Sequence, residues 1–325
     1  MTEEISVKRN GFLEFAKKYA GIFAYLLMFA VFTAIRPNFC TLGNISSIIT
    51  QAALLAIMAS GITVVMLSGG MDMSLGAVAG AATLGGLWNV CNNDMPLAVG
   101  ILLGLGIGAV IGIINGFSVA RLGVAPFVAT LGTMFISQGL QYMFSDGGMA
   151  ISYGFPEAFT FLGRGKFLSL DMPVVIYLVI FLLLLYFLDF SPAGRFLKST
   201  GKNQYASELS GIRIRKYTFI SYVISAMLAA LMGMLLCSMQ SYASSDHGST
   251  FLMDAILATL LGKTLLGKKV SITATAFGCF FLRTFEAGQA MAGVSVFMLN
   301  VLKGILLIVA LILLYLDDRK LRGKG

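Results

Sequence analysis

Charge is what this sequence has least of. Only 12% of its residues are Asp, Glu, Lys or Arg, against about 25% in soluble domains, and 58% are hydrophobic against about 45–50%. So little charge cannot clothe a water-facing surface of this length, which excludes a soluble globular enzyme and indicates a polytopic membrane protein. Histidine occurs once, at His247, and the four cysteines, Cys40, Cys91, Cys237 and Cys279, form no Cys-x-x-Cys pair. That scarcity leaves no ligand set for a metal centre and no dithiol motif. A nucleotide-binding loop is missing too. Gly262-Lys263-Thr264 resembles the end of one, but Leu257 stands where its first glycine belongs, inside an apolar run. No catalytic residue, metal or cofactor is therefore expected.

What is present is a succession of ten apolar runs, which predicts an all-α membrane bundle. The first ends at Ile35 and reads as an uncleaved helix; the others are Ile45–Leu67, Leu75–Val90, Leu97–Ala120, Val124–Phe144, Pro173–Leu188, Tyr217–Met239, Phe251–Leu266, Val270–Leu282 and Val294–Leu316. The net charge of +8 follows this pattern and is not a nucleic-acid signal. With the N-terminus inside, most of the 23 basic residues fall in the polar segment 1–20, at Arg121, in the loop 189–216, at Lys263, Lys268 and Lys269, and in the tail 317–325; only Arg36, Arg164 and Lys166 fall outside. Both termini are thus expected in the cytoplasm, with lipid around a single transmembrane domain covering residues 1–325.

Within this frame Gly69 to Ser74 is the most informative interruption. Gly69-Gly70 should end one helix, and Asp72 can cap the next through its carboxylate oxygens. Non-helical backbone at membrane depth is tolerated only where protein buries it or it lines a cavity, so Asp72 and Ser74 are candidates for a helix break or a translocation pathway. Asn115, Thr130 and Gln138 on the fourth and fifth runs are further candidates, as are Asp254 and Lys303. Lys303 lies deep enough in the last run to need a partner, with Asp72, Asp254 or Glu286 available; for Asp72 and Asp254, capping or internal pairing competes with substrate contact. Arg283 and Glu286, three apart, read as an interfacial pair. Gly100, Gly104, Gly108, Gly112 and Gly116 line one helix face, suited to close packing inside the bundle, with a dimer seam as the alternative.

Several stretches, in order, extend this reading: Gly69 to Gly76, Asn115-Gly116 through Arg121 to Thr133, Gly194-Arg195-Phe196 with Gly201-x-Asn203 and Leu209-Ser210-Gly211-Ile212, and Asp254-Ala255-Ile256 followed by Lys303-Gly304. Together they resemble the ribose-type permease subunits of bacterial ABC importers over nearly the whole chain. The resemblance implies an inner-membrane permease that is not itself an ATPase. It also implies a second permease subunit, identical or similar, two cytoplasmic ATPase subunits, and an external binding protein that delivers a small sugar. The chain departs from the pattern at Tyr205, Ser207, Leu252 and the segment 262–269, which leaves the choice of sugar open. Asn203 can cap a short helix over Gln204–Ser210 and Gly211 can end it; the resemblance makes Asn203, Ala206, Leu209, Gly211 and Ile212 the ATPase-docking residues. The competing reading is a secondary transporter coupling through intramembrane carboxylates. A channel and a membrane-embedded enzyme are further alternatives; neither a secondary transporter nor a channel requires a docking helix.

Overall fold

The computed structural model describes residues 19, 21–92, 95–145, 150–152, 154–245, 248–266 and 269–322. The N-terminal polar segment, apart from Tyr19, and His247 lie outside these residues. Ten long helices match the ten apolar runs: α1 (Gly21–Ile35), α2 (Leu42–Leu67), α3 (Leu75–Asn92), α4 (Leu97–Ala120), α5 (Pro126–Phe144), α7 (Met172–Leu185), α10 (Ile214–Gln240), α11 (Ser249–Leu266), α12 (Ile272–Met291) and α13 (Val296–Arg322). Three shorter helices, α6 (Glu157–Arg164), α8 (Pro192–Lys202) and α9 (Gln204–Leu209), lie in the connections. Five of the helices, α2, α4, α7 with its π-helical extension to Phe190, α10 and α11, are long and apolar enough to cross a membrane on their own. The chain is a polytopic helical membrane protein. Contacts divide it into two compact units, Thr50–Ile256 and Met1–Ile49 with Leu257–Gly325.

In the Thr50–Ile256 unit, α4 packs on α3 and α10 through its glycine face. A methyl group at Gly108 would stand 2.7 Å from the Ala230 Cβ, one at Gly112 2.8 Å from the Val223 Cα, and one at Gly116 2.9 Å from the Phe219 carbonyl oxygen. Toward α3, a methyl group at Gly104 would stand 2.7 Å from the Ala82 carbonyl oxygen and one at Gly100 2.7 Å from that of Gly86. The small residues therefore serve internal packing, since only hydrogen atoms fit where two helix backbones approach this closely. Leu84, Leu87, Val90, Phe159, Met234 and Cys237 fill the space beyond.

The polar connection after α5 is more ordered than its composition indicates. β1 (Ala150–Ser152) pairs antiparallel with β4 (Tyr242–Ser244), and β2 (Lys166–Phe167) pairs with β3 (Leu170–Asp171). Between these pairs α6 lies on the end of α10, where the Ser238 hydroxyl donates to the Phe159 carbonyl at 2.5 Å and Arg164 Nε donates to the Met239 carbonyl at 2.7 Å. The second of these bonds satisfies a carbonyl that the end of α10 leaves open.

In the other unit, a methyl group at Gly278 of α12 would overlap the Ala258 carbonyl oxygen and stand 2.8 Å from the Gly262 nitrogen of α11. Gly262 thus serves a helix crossing. Tyr25 of α1 packs edge-on against Phe277 at 5.7 Å, and Phe29 and Phe32 close on Phe39 at 5.2 and 5.6 Å. The ninth helix corrects a sequence boundary. It was expected to stop at Leu282 but continues to Met291, because Arg283 does not end it in water: Arg283 pairs with Glu286, and Lys303 of α13 reaches the same carboxylate at 2.5 Å. Glu286 is the partner that Lys303 required, and all three side chains are largely buried.

Lys303→Met is accordingly expected to give nearly normal yields of folded protein, since Arg283 and Glu286 still neutralise each other. Lys303→Glu should reduce them severely by setting a second carboxylate beside Glu286. Fluorescence-detected gel filtration of the two variants checks this; equal yields would show that the side chain is paired elsewhere or hydrated.

Candidate functional site

The break between α2 and α3 gathers most of the polar candidates. Gly69 takes φ +86°, and the Gly70 and Gly69 N–H groups donate to the carbonyls of Val65 and Met66 at 3.0 and 3.1 Å. This is the two-bond, left-handed ending that glycine permits and that satisfies the last carbonyls of a helix. The following helix starts at Leu75, so the residue at its cap is Ser74, whose carbonyl receives the Val78 N–H at 2.8 Å. Asp72 stands one step further back than a direct cap. Its Oδ1 accepts from the Ser74 N–H at 2.9 Å and from the Ser74 hydroxyl at 2.6 Å, which fixes the turn that presents Ser74.

From Ser74 the network crosses to two other helices. Asn115 Nδ2 on α4 donates to the Ser74 hydroxyl oxygen at 3.0 Å, and Asn115 Oδ1 accepts from the Thr133 hydroxyl on α5 at 2.6 Å. Thr130 receives the Met73 N–H at 3.1 Å while donating to the Pro126 carbonyl. The Tyr222 hydroxyl of α10 donates to the Met71 carbonyl at 3.3 Å, and Ser221 bonds Ser68 at 2.9 Å. Asp72, Ser74, Asn115, Thr130, Ser221 and Tyr222 are all essentially inaccessible to solvent. Asp72 Oδ2 has no hydrogen-bond partner among the described residues. A buried carboxylate oxygen in that state is costly, which marks the position as one kept for more than packing.

Four of the sequence candidates, Asp72, Ser74, Asn115 and Thr130, are thus brought together. Gln138 is not among them: it is half-buried, one residue past the inward face of α5. That face is Thr130, Thr133, Ser137 and Gln141, all buried, and it is Gln141 whose Nε2 reaches into α3, to the Ala77 carbonyl at 2.7 Å. Extending the Thr130–Thr133–Ser137 spacing by one turn would have found Gln141, and the Thr218–Ser221–Ser225 spacing marks the face of α10 that carries Tyr222. Asp254 is buried on α11, and Lys303 belongs to the unit with α12 and α13.

The length of α2 bears on where the break lies. At 26 residues, α2 is about 39 Å long and already exceeds the roughly 30 Å hydrocarbon core. The turn lies near the last residues of α4, the first of α5 and α10, and α8, where a methyl group at Gly201 would overlap the Leu67 carbonyl oxygen and stand 2.8 Å from the Gly69 nitrogen. Asp72 therefore lies just beyond the C-terminal end of α2, among the ends of α4, α5 and α8.

The segment expected to dock the ATPase also forms as a helix. Asn203 Oδ1 accepts from the Ala206 N–H at 3.0 Å, α9 runs from Gln204 to Leu209, and Gly211 ends it at φ +76°. Ser207 faces inward, Ile212 is half-buried, and Tyr205, Ala206 and Leu209 are exposed. Ahead of it, α8 is capped by Ser191, which accepts from the Gly194 N–H at 3.1 Å, with Pro192 at its first position.

The structure thus sets a buried polar turn between apolar helices, beside short capped helices in a basic loop. Across residues 44–311 the chain matches the profile of the family described as "Branched-chain amino acid transport system / permease component". The chain belongs to this permease family. It is 33% identical to the ribose import permease protein RbsC of Bacillus subtilis (strain 168) over 98% of its own length and 97% of that protein's. It is 31% identical to the ribose import permease protein RbsC of Escherichia coli (strain K12), over 98% and 99%. With the autoinducer 2 import system permease protein LsrD of Salmonella paratyphi A the identity is 33% over 89% of both. No solved structure matches the permease.

Two substitutions separate the roles of the two Asp72 oxygens. Asp72→Asn keeps an acceptor for both Ser74 bonds and is expected to leave the melting temperature of the purified permease nearly unchanged. Asp72→Ala strands the buried Ser74 N–H and should cost about 1–3 kcal/mol. Equal thermal unfolding of the two variants would show that the turn does not depend on that carboxylate.

Proposed function

We propose that the chain is the membrane-spanning subunit of an ATP-driven importer, through which a small, ribose-like sugar passes after delivery by an external binding protein. Two permease subunits, identical or similar, would work with two cytoplasmic ATPase subunits that hydrolyse the nucleotide. Residues 1–325 would act as one transmembrane domain, in the bacterial inner membrane with both termini in the cytoplasm. The observation that carries this reading is the relationship to ribose import permeases over almost the full length of both chains.

The geometry supports it at two places. The basic loop 189–216 holds α8 and α9, and α9 turns Tyr205, Ala206 and Leu209 outward, a surface suited to a cytoplasmic partner. The Asp72–Ser74–Asn115–Thr130 network lies near the same end of the bundle and would line the inner mouth of the sugar pathway. Asp254 and Gln138 would contribute from α11 and α5, and Lys303 would stabilise the bundle through Glu286.

Uptake of labelled ribose into vesicles carrying the complete importer tests this. Uptake should require ATP and the ATPase subunits and should persist when an uncoupler collapses the proton gradient. Uptake by the permease alone, or its loss with the uncoupler, would favour a secondary transporter using intramembrane carboxylates.

A further inference from the structure

Where α4 ends and α10 begins, a cavity of 680 Å³ opens between the two helices. Arg121, Arg213, Arg215 and Lys216 line it, against Glu208 as the single acid. None of the four cations takes part in an ion pair among the described residues. The remaining walls are apolar, with Phe117 and Phe219 among them.

Its position fixes its surroundings. Arg121 follows the last residue of α4 and Arg213–Lys216 straddle the first residues of α10, both helices of membrane-spanning length. The cations therefore lie where hydrocarbon gives way to headgroups. From the cavity, Phe117, Ile114, Ile113 and Val110 run back along α4 as one exposed stripe, between 40% and 56% accessible. This stripe is opposite the glycine face that packs on α3 and α10, so nothing in the unit covers it.

We propose that this corner binds an anionic phospholipid, with its phosphate among Arg121, Arg213, Arg215 and Lys216 and an acyl chain laid along the α4 stripe. Charge decides the head and the stripe decides the tail. A free phosphate would leave Val110, Ile113, Ile114 and Phe117 without a role. A second copy of the chain docked here two-fold symmetrically would face one set of four cations with another. Basic clusters at the ends of membrane helices select anionic headgroups in this way, and the volume lies within the ordinary range of ligand sites. The proposal needs only that the chain is inserted in a membrane; it stands or falls independently of which solute is imported.

The test places the purified permease in phosphatidylcholine nanodiscs doped with a photoactivatable phosphatidylglycerol or, separately, a photoactivatable phosphatidylcholine, and maps the cross-links. Phosphatidylglycerol should label the peptides carrying Ile113–Phe117 and Phe219 at least fivefold more strongly than phosphatidylcholine. Unlabelled phosphatidylglycerol should compete and millimolar inorganic phosphate should not. The triple variant Arg121→Gln, Arg213→Gln, Arg215→Gln should fall to the phosphatidylcholine level, and the corresponding triple lysine variant, which keeps the charge, should retain most of the signal and serves as the control for folding. Equal labelling by the two lipids, or displacement by inorganic phosphate, overturns the proposal. So does loss of the label when the ATPase subunits are bound, which would assign the corner to a protein contact.

Discussion

Ala206→Glu and Leu209→Glu are each expected to reduce ATP-driven uptake to background while leaving the permease inserted and thermally stable. Both side chains are exposed on α9, Leu209 to 73%, beside Tyr205 at 74%. A carboxylate at either place is hydrated in the isolated chain, so folding does not register it. It becomes costly only if a partner removes that water, when a charge is buried without a counter-charge. Gly211 is a poorer place for the same test. At φ +76° a side chain there strains the backbone by about 1–2 kcal/mol, so Gly211→Glu would confuse loss of docking with loss of the helix end. Co-purification of the ATPase subunits, measured beside uptake, separates assembly from transport. Full uptake by both variants would remove α9 as the coupling element.

The glycine face of α4 carries the second large effect. Gly112→Leu is expected to abolish the folded, monodisperse permease, because even its Cβ would lie 2.8 Å from the Val223 Cα and 2.9 Å from the Tyr222 carbonyl oxygen. Those are backbone atoms of a buried helix and cannot rotate aside, so α4 and α10 must part and give up the contact along their length. Gly106→Leu provides the matched control on the same helix. Nothing lies within 4 Å of the added methyl there, and replacing glycine gains roughly 1 kcal/mol of helix propensity. Gel-filtration profiles of the two variants decide between sequence position and packing; similar yields would show that the face is not a tight seam.

The contrast also explains what could be read from the chain and what could not. Span positions follow from runs of apolar residues, so all ten long helices were legible. Their pairing was largely not. In α4 or α7 apolar residues surround the axis, so hydrophobicity does not say which side meets protein and which meets lipid. Small residues carry that information where they recur at one spacing, as from Gly100 to Gly116. Where the inward face is polar, as at Thr130, Thr133 and Ser137, the period identifies the face but not its last member, Gln141. The turn at Gly69 and the cap at Asn203 were legible because each rests on a local backbone requirement. The neighbours of Asp72 were not, since they depend on how long α2 stays helical and on what packs against its end. Lys303 shows the same division: its need for an anion follows from its place in an apolar run, and the choice of Glu286 follows from the α12–α13 packing.

The meeting of Gly201 with Leu67 and Gly69 has a mechanical side. Most contacts between helices are cushioned by side chains that change rotamer and absorb a displacement of an ångström or so. Here the main chain of α8 rests directly on the main chain at the end of α2, with no side chain on either glycine to yield. The joint has very low compliance. Any shift imposed on α8 from outside the membrane must either be resisted or be passed undiminished to the turn that holds Asp72, so two hydrogen atoms in place of side chains make this corner a stiff strut.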